Sequence, residues 1–107
     1  MPHYMVQAAY TAEAVAAMVK NPQNRGEAVR PVVEALGGKI VASFMAFGDY
    51  DFVGLVEMPD NVSAAALSMA AGAGGGVKSL KTTPLMAHDD GVEAMRKAGQ
   101  AGYRPPS

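Results

Sequence analysis

Two β-rich runs separated by a short turn constrain the fold of this chain more than any other feature. Residues 39–47 and 52–58 are rich in Val, Ile, Phe and Met, and Gly48-Asp49-Tyr50-Asp51 between them favours a tight turn. We therefore predict a hairpin of two antiparallel strands. The first run alternates two largely apolar sets of side chains, so neither face of the hairpin suits water. These two sets are Ile40, Ala42, Phe44 and Ala46, and Val41, Ser43, Met45 and Phe47.

A strand and a two-part helix are predicted before the hairpin. Residues 3–10 alternate two sets of side chains, as a strand does, and Thr11 can cap the helix that follows. Residues 21–24 interrupt this helix, Pro31 kinks its second part or marks its start, and Gly37-Gly38 ends it in a left-handed conformation. The apolar stripes of the two parts are Val15, Met18 and Val19, and Val29, Val32, Val33 and Leu36.

A helix, a strand and a weak final helix are predicted after the hairpin. Asp60 or Asn61 can cap an alanine-rich helix, and residues 77–86 form the fourth strand. Asp89 can cap a weak last helix, which leads into a mobile tail. We therefore divide the chain into a domain at residues 1–88 and a C-terminal helix and tail at residues 89–107. The apolar stripe of the alanine-rich helix is Val62, Ala65, Ala66 and Met69.

This order of elements predicts a ferredoxin-like β-α-β-β-α-β sandwich of the α+β class. Two right-handed crossovers place both helical layers on one face of a four-stranded antiparallel sheet. The other face stays bare and is apolar on strands two and three, so we expect a second copy of the chain to cover it. The predicted partner is therefore the chain itself, as a homodimer or an assembly of dimers.

Three short motifs resemble a known family. They are residues 1–4 (MPHY) at the first strand, residues 34–39 (EALGGK) before the second, and residues 48–53 (GDYDFV) at the hairpin. Together they resemble the GYD domain family, and the similarity extends over about residues 2–88. The resemblance implies a ferredoxin-like fold of the dimeric α/β-barrel type. Because the function of that family is largely unassigned, the resemblance implies no catalytic residue.

Composition excludes several classes of function. The net charge is −1 and the nine basic residues are scattered, so we expect no nucleic-acid partner. The absence of cysteine excludes disulfides and thiolate sites. No apolar stretch approaches the ~20 residues that span a bilayer, and no apolar leader is present, so we expect a cytoplasmic protein without a membrane partner.

No cofactor or metal is expected from the motifs. Residues 72–79 superficially resemble a phosphate-binding loop, but Val77 replaces the required glycine and the helix precedes the strand. His3 and His88 come near adjacent strand ends, beside Asp89 and Asp90, so a His/His/Asp metal site is geometrically possible. The alternative is that these terminal residues are merely solvated, and we predict no bound metal.

Two functions from different classes remain open. The first is binding of a small molecule in a pocket of the dimeric barrel or between sheet and helices, and the alternative is a non-catalytic oligomerisation or regulatory interaction module. No nucleophile motif decides whether the chain is an enzyme. For the hairpin, a ligand-binding role competes with simple turn chemistry. The predicted ligand site comprises the aromatic and titratable groups on or beside the sheet: His3, Tyr4, Tyr10, Lys39, Phe44, Phe47, Asp49, Tyr50 and Asp51.

Overall fold

The computed structural model describes residues 1–107 as a four-stranded sheet with helices. The strands lie in the order β2-β3-β1-β4, and every neighbouring pair is antiparallel. This topology confirms the predicted ferredoxin-like fold. The elements are β1 (His3–Tyr10), α1 (Ala12–Lys20), α2 (Arg25–Ala35), β2 (Lys39–Met45), β3 (Phe52–Glu57), α3 (Asn61–Ala73), β4 (Val77–Leu85) and α4 (His88–Gln100).

Side-chain caps set the starts of the first three helices. Thr11 Oγ1 accepts the Ala14 N–H at 3.1 Å, and Asn24 Oδ1 accepts the Glu27 N–H at 3.1 Å. Since α2 begins directly after Asn24, Pro31 lies inside this helix and does not mark its start. The prediction that Asp89 caps the last helix is wrong, because α4 begins at His88 after an alanine, which has no side-chain acceptor.

Asp60 is the cap of α3. Its Oδ1 accepts the Ser63 N–H at 2.8 Å. Hydrogen bonds from Ser63, that of the backbone first, lower the pKa of the Asp60 carboxyl because they favour the charged form. The cap therefore stabilises the fold fully at neutral pH, and its contribution is lost as the pH falls through that lowered pKa.

A β-bulge changes the orientation of side chains along β2. Ile40 pairs with Val56, but Ala42 pairs with Leu55, so Val41 is an additional residue in this strand. Beyond the bulge the alternation reverses. The predicted face of Ile40, Ala42, Phe44 and Ala46 is therefore wrong after Ile40: Ser43 shares the helix side with Ile40, while Ala42 and Phe44 lie on the other side.

The core is densely packed at one end of the sheet, which we call the closed end. There Val33 of α2 and Met58 after β3 are fully buried. Gly37 ends α2 with a φ of 82°, as predicted. Gly38 has no room for a side chain, because a Cβ would contact Met58 Sδ and lie 2.6 Å from the Glu57 carbonyl oxygen. The buried cluster comprises Tyr4, Val6, Val33, Ile40, Val56, Met58, Ala64 and Leu67.

Helix α3 presents a different face to the sheet from the one its apolar pattern predicts. Ala64 and Leu67 are buried, whereas Val62 and Met69 of the predicted stripe are 78% and 72% exposed. Alanine surrounds this helix on every side, so the spacing of apolar residues does not distinguish one face from another. In α1 no residue is buried, and Val19 of its predicted stripe is 75% exposed.

The chain leaves much of its surface uncovered. Its accessible surface is 7595 Å², whereas a compact monomer of 11.0 kDa exposes about 5,600 Å². Its radius of gyration is 17.0 Å, against about 13 Å for a compact domain of this length. Helix α4 buries no residue, and no helix is both long and apolar enough to cross a membrane.

The sheet face opposite the helices, which we call the open face, is also uncovered. At its centre, Leu55 of β3 lies between Met5 of β1 and Ala42 of β2, and Phe44 pairs with Val53 beside them. The Phe44 side chain is 66% exposed. The open face therefore carries apolar side chains at the centre of β1, β2 and β3, as the sequence predicts for strands two and three, and Gln7 of β1 lies beside Val53.

The closed end predicts a contrast between two glycine substitutions. Gly38→Ala should lower the free energy of unfolding by about 1–3 kcal/mol, because its Cβ displaces the buried Met58 side chain. Gly72→Ala, inside α3 with no atom within 4 Å of the new Cβ, should raise it by up to about 1 kcal/mol. Chemical denaturation of both variants measures the difference, and equal midpoints would contradict the close packing at Gly38.

Candidate functional site

A cavity of about 420 Å³ lies between the sheet and the helices, towards the end of the sheet that carries the β2–β3 hairpin. We call this the hairpin end. Hydrophobic residues make up 18 of the 24 that line the cavity. Many of them are small: Ala8 and Gly54 on the sheet side, and Ala14, Ala17, Ala28 and Ala71 on the helix side.

Small side chains on the helix side account for much of this empty space. On the sheet side, Gly54 lies at the middle of β3, between Val6 of β1 and Ser43 of β2, and it faces the helices. The ring of the buried Phe52 covers it, with Cε1 3.0 Å from the place that a Cβ on Gly54 would take. Opposite this ring, α1 and the C-terminal half of α3 present mostly alanine and glycine, which leave a gap that larger side chains would fill.

Arg25 is the only charged residue that lines the cavity. It begins α2 and is half-buried. Its Nη1 donates a hydrogen bond to Gln23 Oε1 at 2.8 Å, and no carboxylate forms an ion pair with it. The cavity thus has an apolar lining and a single charged residue, Arg25, whose charge no acidic side chain compensates.

A second depression adjoins the cavity at the hairpin end, and we call it the mouth. It shares Tyr10, Met18, Gln23, Arg25 and Phe52 with the cavity. The segment between α1 and α2 forms one side, and the β2–β3 hairpin forms the other. Exposed apolar side chains surround this opening, among them Met45, Phe47 and Val19.

Four of the nine residues predicted for a ligand site line the mouth. Tyr10, Phe44, Phe47 and Asp51 do so; Tyr10 also lines the cavity, whereas the side chain of Phe44 lies on the open face. Asp49, on the hairpin, is exposed and lines neither space, and Tyr50 beside it is half-buried. The hairpin is therefore adjacent to the candidate site, but only part of it faces that site.

Asp51 has a structural role in holding the hairpin against β1. Its Oδ2 accepts the Tyr10 N–H at 2.9 Å, and its own N–H donates to the Ala8 carbonyl oxygen at 2.8 Å. The Ala46 N–H donates to the Asp51 carbonyl oxygen at 2.7 Å, which closes the hairpin. These three bonds correspond to the turn chemistry considered from the sequence, and they fix one wall of the mouth.

The remaining three predicted site residues lie far away, at the closed end. Tyr4 is buried and its hydroxyl donates to Asn61 Oδ1 at 2.5 Å. His3 Nε2 lies 3.1 Å from Glu57 Oε1, and Lys39 is in register with Glu57 on the far side. At about 3.3 Å per residue, His3 and Tyr10 are more than 20 Å apart along β1. The nine residues therefore do not form a single site.

The structure brings together no group of three His, Asp or Glu side chains that could hold a metal ion. The His3 imidazole lies beside Glu57 instead of joining His88 in such a group. Tyr4 and His3 thus have structural partners of their own at the closed end.

Arg25 and Gln23 are the functional candidates that the sequence pattern did not reveal. Gln23 belongs to the polar segment between α1 and α2, which has the composition of an ordinary helix interruption, and Arg25 is the first residue of α2. Their significance depends on the cavity behind them and on the absence of an acidic partner. Only the spatial arrangement shows these two properties.

Comparison with known proteins places this geometry in a family. A protein of Thermus thermophilus named "Glutamine synthetase and cystathionine beta-lyase binding protein" is 30% identical over 80 residues, which cover 75% of this chain and 84% of that protein. A hypothetical protein of Pyrococcus horikoshii has a similar fold, with a TM-score of 0.51 and 11% identity over 81% of this chain and 92% of its own. The structure of FFRP-DM1 gives a TM-score of 0.49 at 11% identity, over 80% of this chain and all of that one.

The family match extends over nearly the whole of the described sheet and its helices. The GYD domain matches residues 4–95, from the first strand into α4, and includes the hairpin that forms one wall of the mouth. This chain belongs to the GYD domain family.

Proposed function

We propose that this protein binds a small organic molecule in the cavity at the hairpin end, and that it does so as a homodimer. The observation that carries the proposal is the cavity of about 420 Å³ with its predominantly apolar lining. Known ligand pockets have volumes of about 300–1,000 Å³ and combine apolar walls with a few polar groups. This cavity has the same combination.

Packing energetics favours an occupant. The atoms around an unfilled apolar space lose van der Waals contacts that they would have in a filled core. An apolar molecule of suitable size restores those contacts, while water in the same space finds few polar partners. The polar residues of the cavity, Tyr10, Gln23, Arg25 and Ser68, include no pair of acid and base in contact, which favours binding over a reaction.

The uncovered surface supports the homodimer. The chain exposes about 2,000 Å² more than a compact monomer of its mass. A standard protein interface removes about 800 Å² from each partner. Two open faces packed against each other would cover Leu55, Met5 and Phe44, and the cavities on the helix sides would remain accessible.

A second candidate function is binding of another protein. The observation that favours it is the Thermus thermophilus relative, which is named as a binding protein for two enzymes. Helix α4 and the open face are the uncovered surfaces that such a partner could contact. Co-sedimentation of the purified dimer with the source organism's glutamine synthetase tests this candidate, and separate sedimentation of the two proteins would count against it.

Filling the cavity should abolish ligand binding. The neutral fluorescent probe N-phenyl-1-naphthylamine should bind the wild type at about one molecule per chain, and Ala71→Leu should weaken binding at least tenfold because its side chain enters the cavity. Ala65→Leu is the matched control, since Ala65 lies on the same helix, is exposed and lines neither the cavity nor the mouth. Fluorescence titration measures both affinities.

Two results would contradict the cavity as the binding site. One is a wild type that does not bind the probe at micromolar concentration. The other is equal binding by both variants, with circular dichroism showing that both are folded.

A charge on the open face should separate the dimer. Leu55→Arg should convert the protein to a monomer, because a buried and unpaired guanidinium in the centre of the interface would lose its hydration. Val62→Arg, on an exposed position at the start of α3, should remain a dimer. Light scattering during size-exclusion chromatography gives both masses, and a monomeric wild type at micromolar concentration would refute the dimer.

A further inference from the structure

We propose that the molecule bound in the cavity is an amphipathic organic anion, an aliphatic or aromatic carboxylate whose charged group pairs with Arg25. This inference rests on the proposed small-molecule function and specifies its ligand class. Arg25 lines both the cavity and the mouth, so this residue lies where the apolar interior adjoins the opening at the hairpin end.

The guanidinium has bonding capacity that the protein does not use. Its recorded side-chain hydrogen bond joins Nη1 to Gln23 Oε1 at 2.8 Å, and that acceptor is neutral. An arginine carries several N–H donors in a planar fork that matches the two oxygens of a carboxylate. A ligand carboxylate at the mouth could therefore accept hydrogen bonds from N–H groups of Arg25, a residue that α2 and the segment before it hold in position.

The acidic residues closest in the fold have other partners. Glu27, two residues further along α2, pairs with Arg30 at 3.3 Å. Asp51 lines the mouth, but its carboxylate accepts the Tyr10 N–H at 2.9 Å and forms no ion pair with Arg25. The positive charge of Arg25 is thus left for a ligand.

The rest of the cavity selects the apolar part of the ligand. Its volume of about 420 Å³ lies in the lower part of the range of about 300–1,000 Å³ for known ligand pockets, so it suits an apolar group of modest size. A cation would be repelled at the mouth, and a neutral molecule would leave the guanidinium without a counter-charge. A medium-length carboxylate such as decanoate satisfies both the volume and the charge.

Displacement of N-phenyl-1-naphthylamine by two ligands of equal chain length tests the inference. Decanoate should displace the probe from the wild type at a concentration at least tenfold lower than 1-decanol does, because a hydrogen-bonded ion pair adds to the same apolar contacts. Arg25→Gln should remove this difference by weakening decanoate alone, and Arg25→Lys should retain part of it.

Arg30→Gln is the matched control. Arg30 lies on the same helix, is half-buried and pairs with Glu27, but it lines neither the cavity nor the mouth. This variant should keep the wild-type preference for decanoate. For every variant, the affinity for the probe and the midpoint of thermal unfolding are compared with those of the wild type, because unchanged values show that the cavity is intact.

The possible failures are distinguishable. Equal displacement by decanoate and 1-decanol in the wild type would refute the proposal that the ligand is an anion, while the proposed small-molecule function would stand. A preference for decanoate that survives Arg25→Gln would overturn the role of Arg25. Absence of probe binding by the wild type would refute the proposed function and this inference with it.

Discussion

The space between the sheet and its helices is filled at one end of the sheet and only partly filled towards the other, and the rest of the structure depends on this difference. At the closed end, Val33 and Met58 pack so closely that only glycine fits at position 38. Towards the hairpin end, the ring of Phe52 covers Gly54, and the helices opposite present mainly alanines. One end therefore supplies the stability of the domain and the other supplies its cavity.

The hairpin has a structural role that is also the condition for a site. Asp51 bonds to the backbone of Tyr10 and Ala8, so the hairpin is held at the end of β1 and cannot fold away from it. As a result, Phe47 and Met45 line the mouth. Turn chemistry and ligand binding compete as explanations of this motif in the sequence, but the two are compatible in the structure. The hydrogen bonds of the turn hold one wall of the mouth in position, and a ligand would bind against that wall.

The sequence predicted those features that depend on strong local signals. The strand and helix order, the caps Thr11 and Asp60, and the left-handed Gly37 all follow from local chemistry. The buried faces of β2 and α3 could not be predicted in this way. The strand is apolar on both sides and the helix is mostly alanine, so neither has a polar face opposite an apolar one. The role of Arg25 was also missed. It depends on the absence of a carboxylate near Arg25 in the folded chain, which the neighbouring residues of the sequence do not reveal.

The bulge at Val41 has a consequence for how this chain can change in length. In a regular ladder with the same residues, Phe44 would point to the helix side opposite Phe52, where its ring would enter the space between the sheet and the helices. Losing residue 41 would leave every later residue of β2 on its present face, because the ladder already passes over Val41. Relatives could therefore lack this residue and keep the same cavity, whereas an insertion at a regular position of β2 would exchange the faces of every residue beyond it.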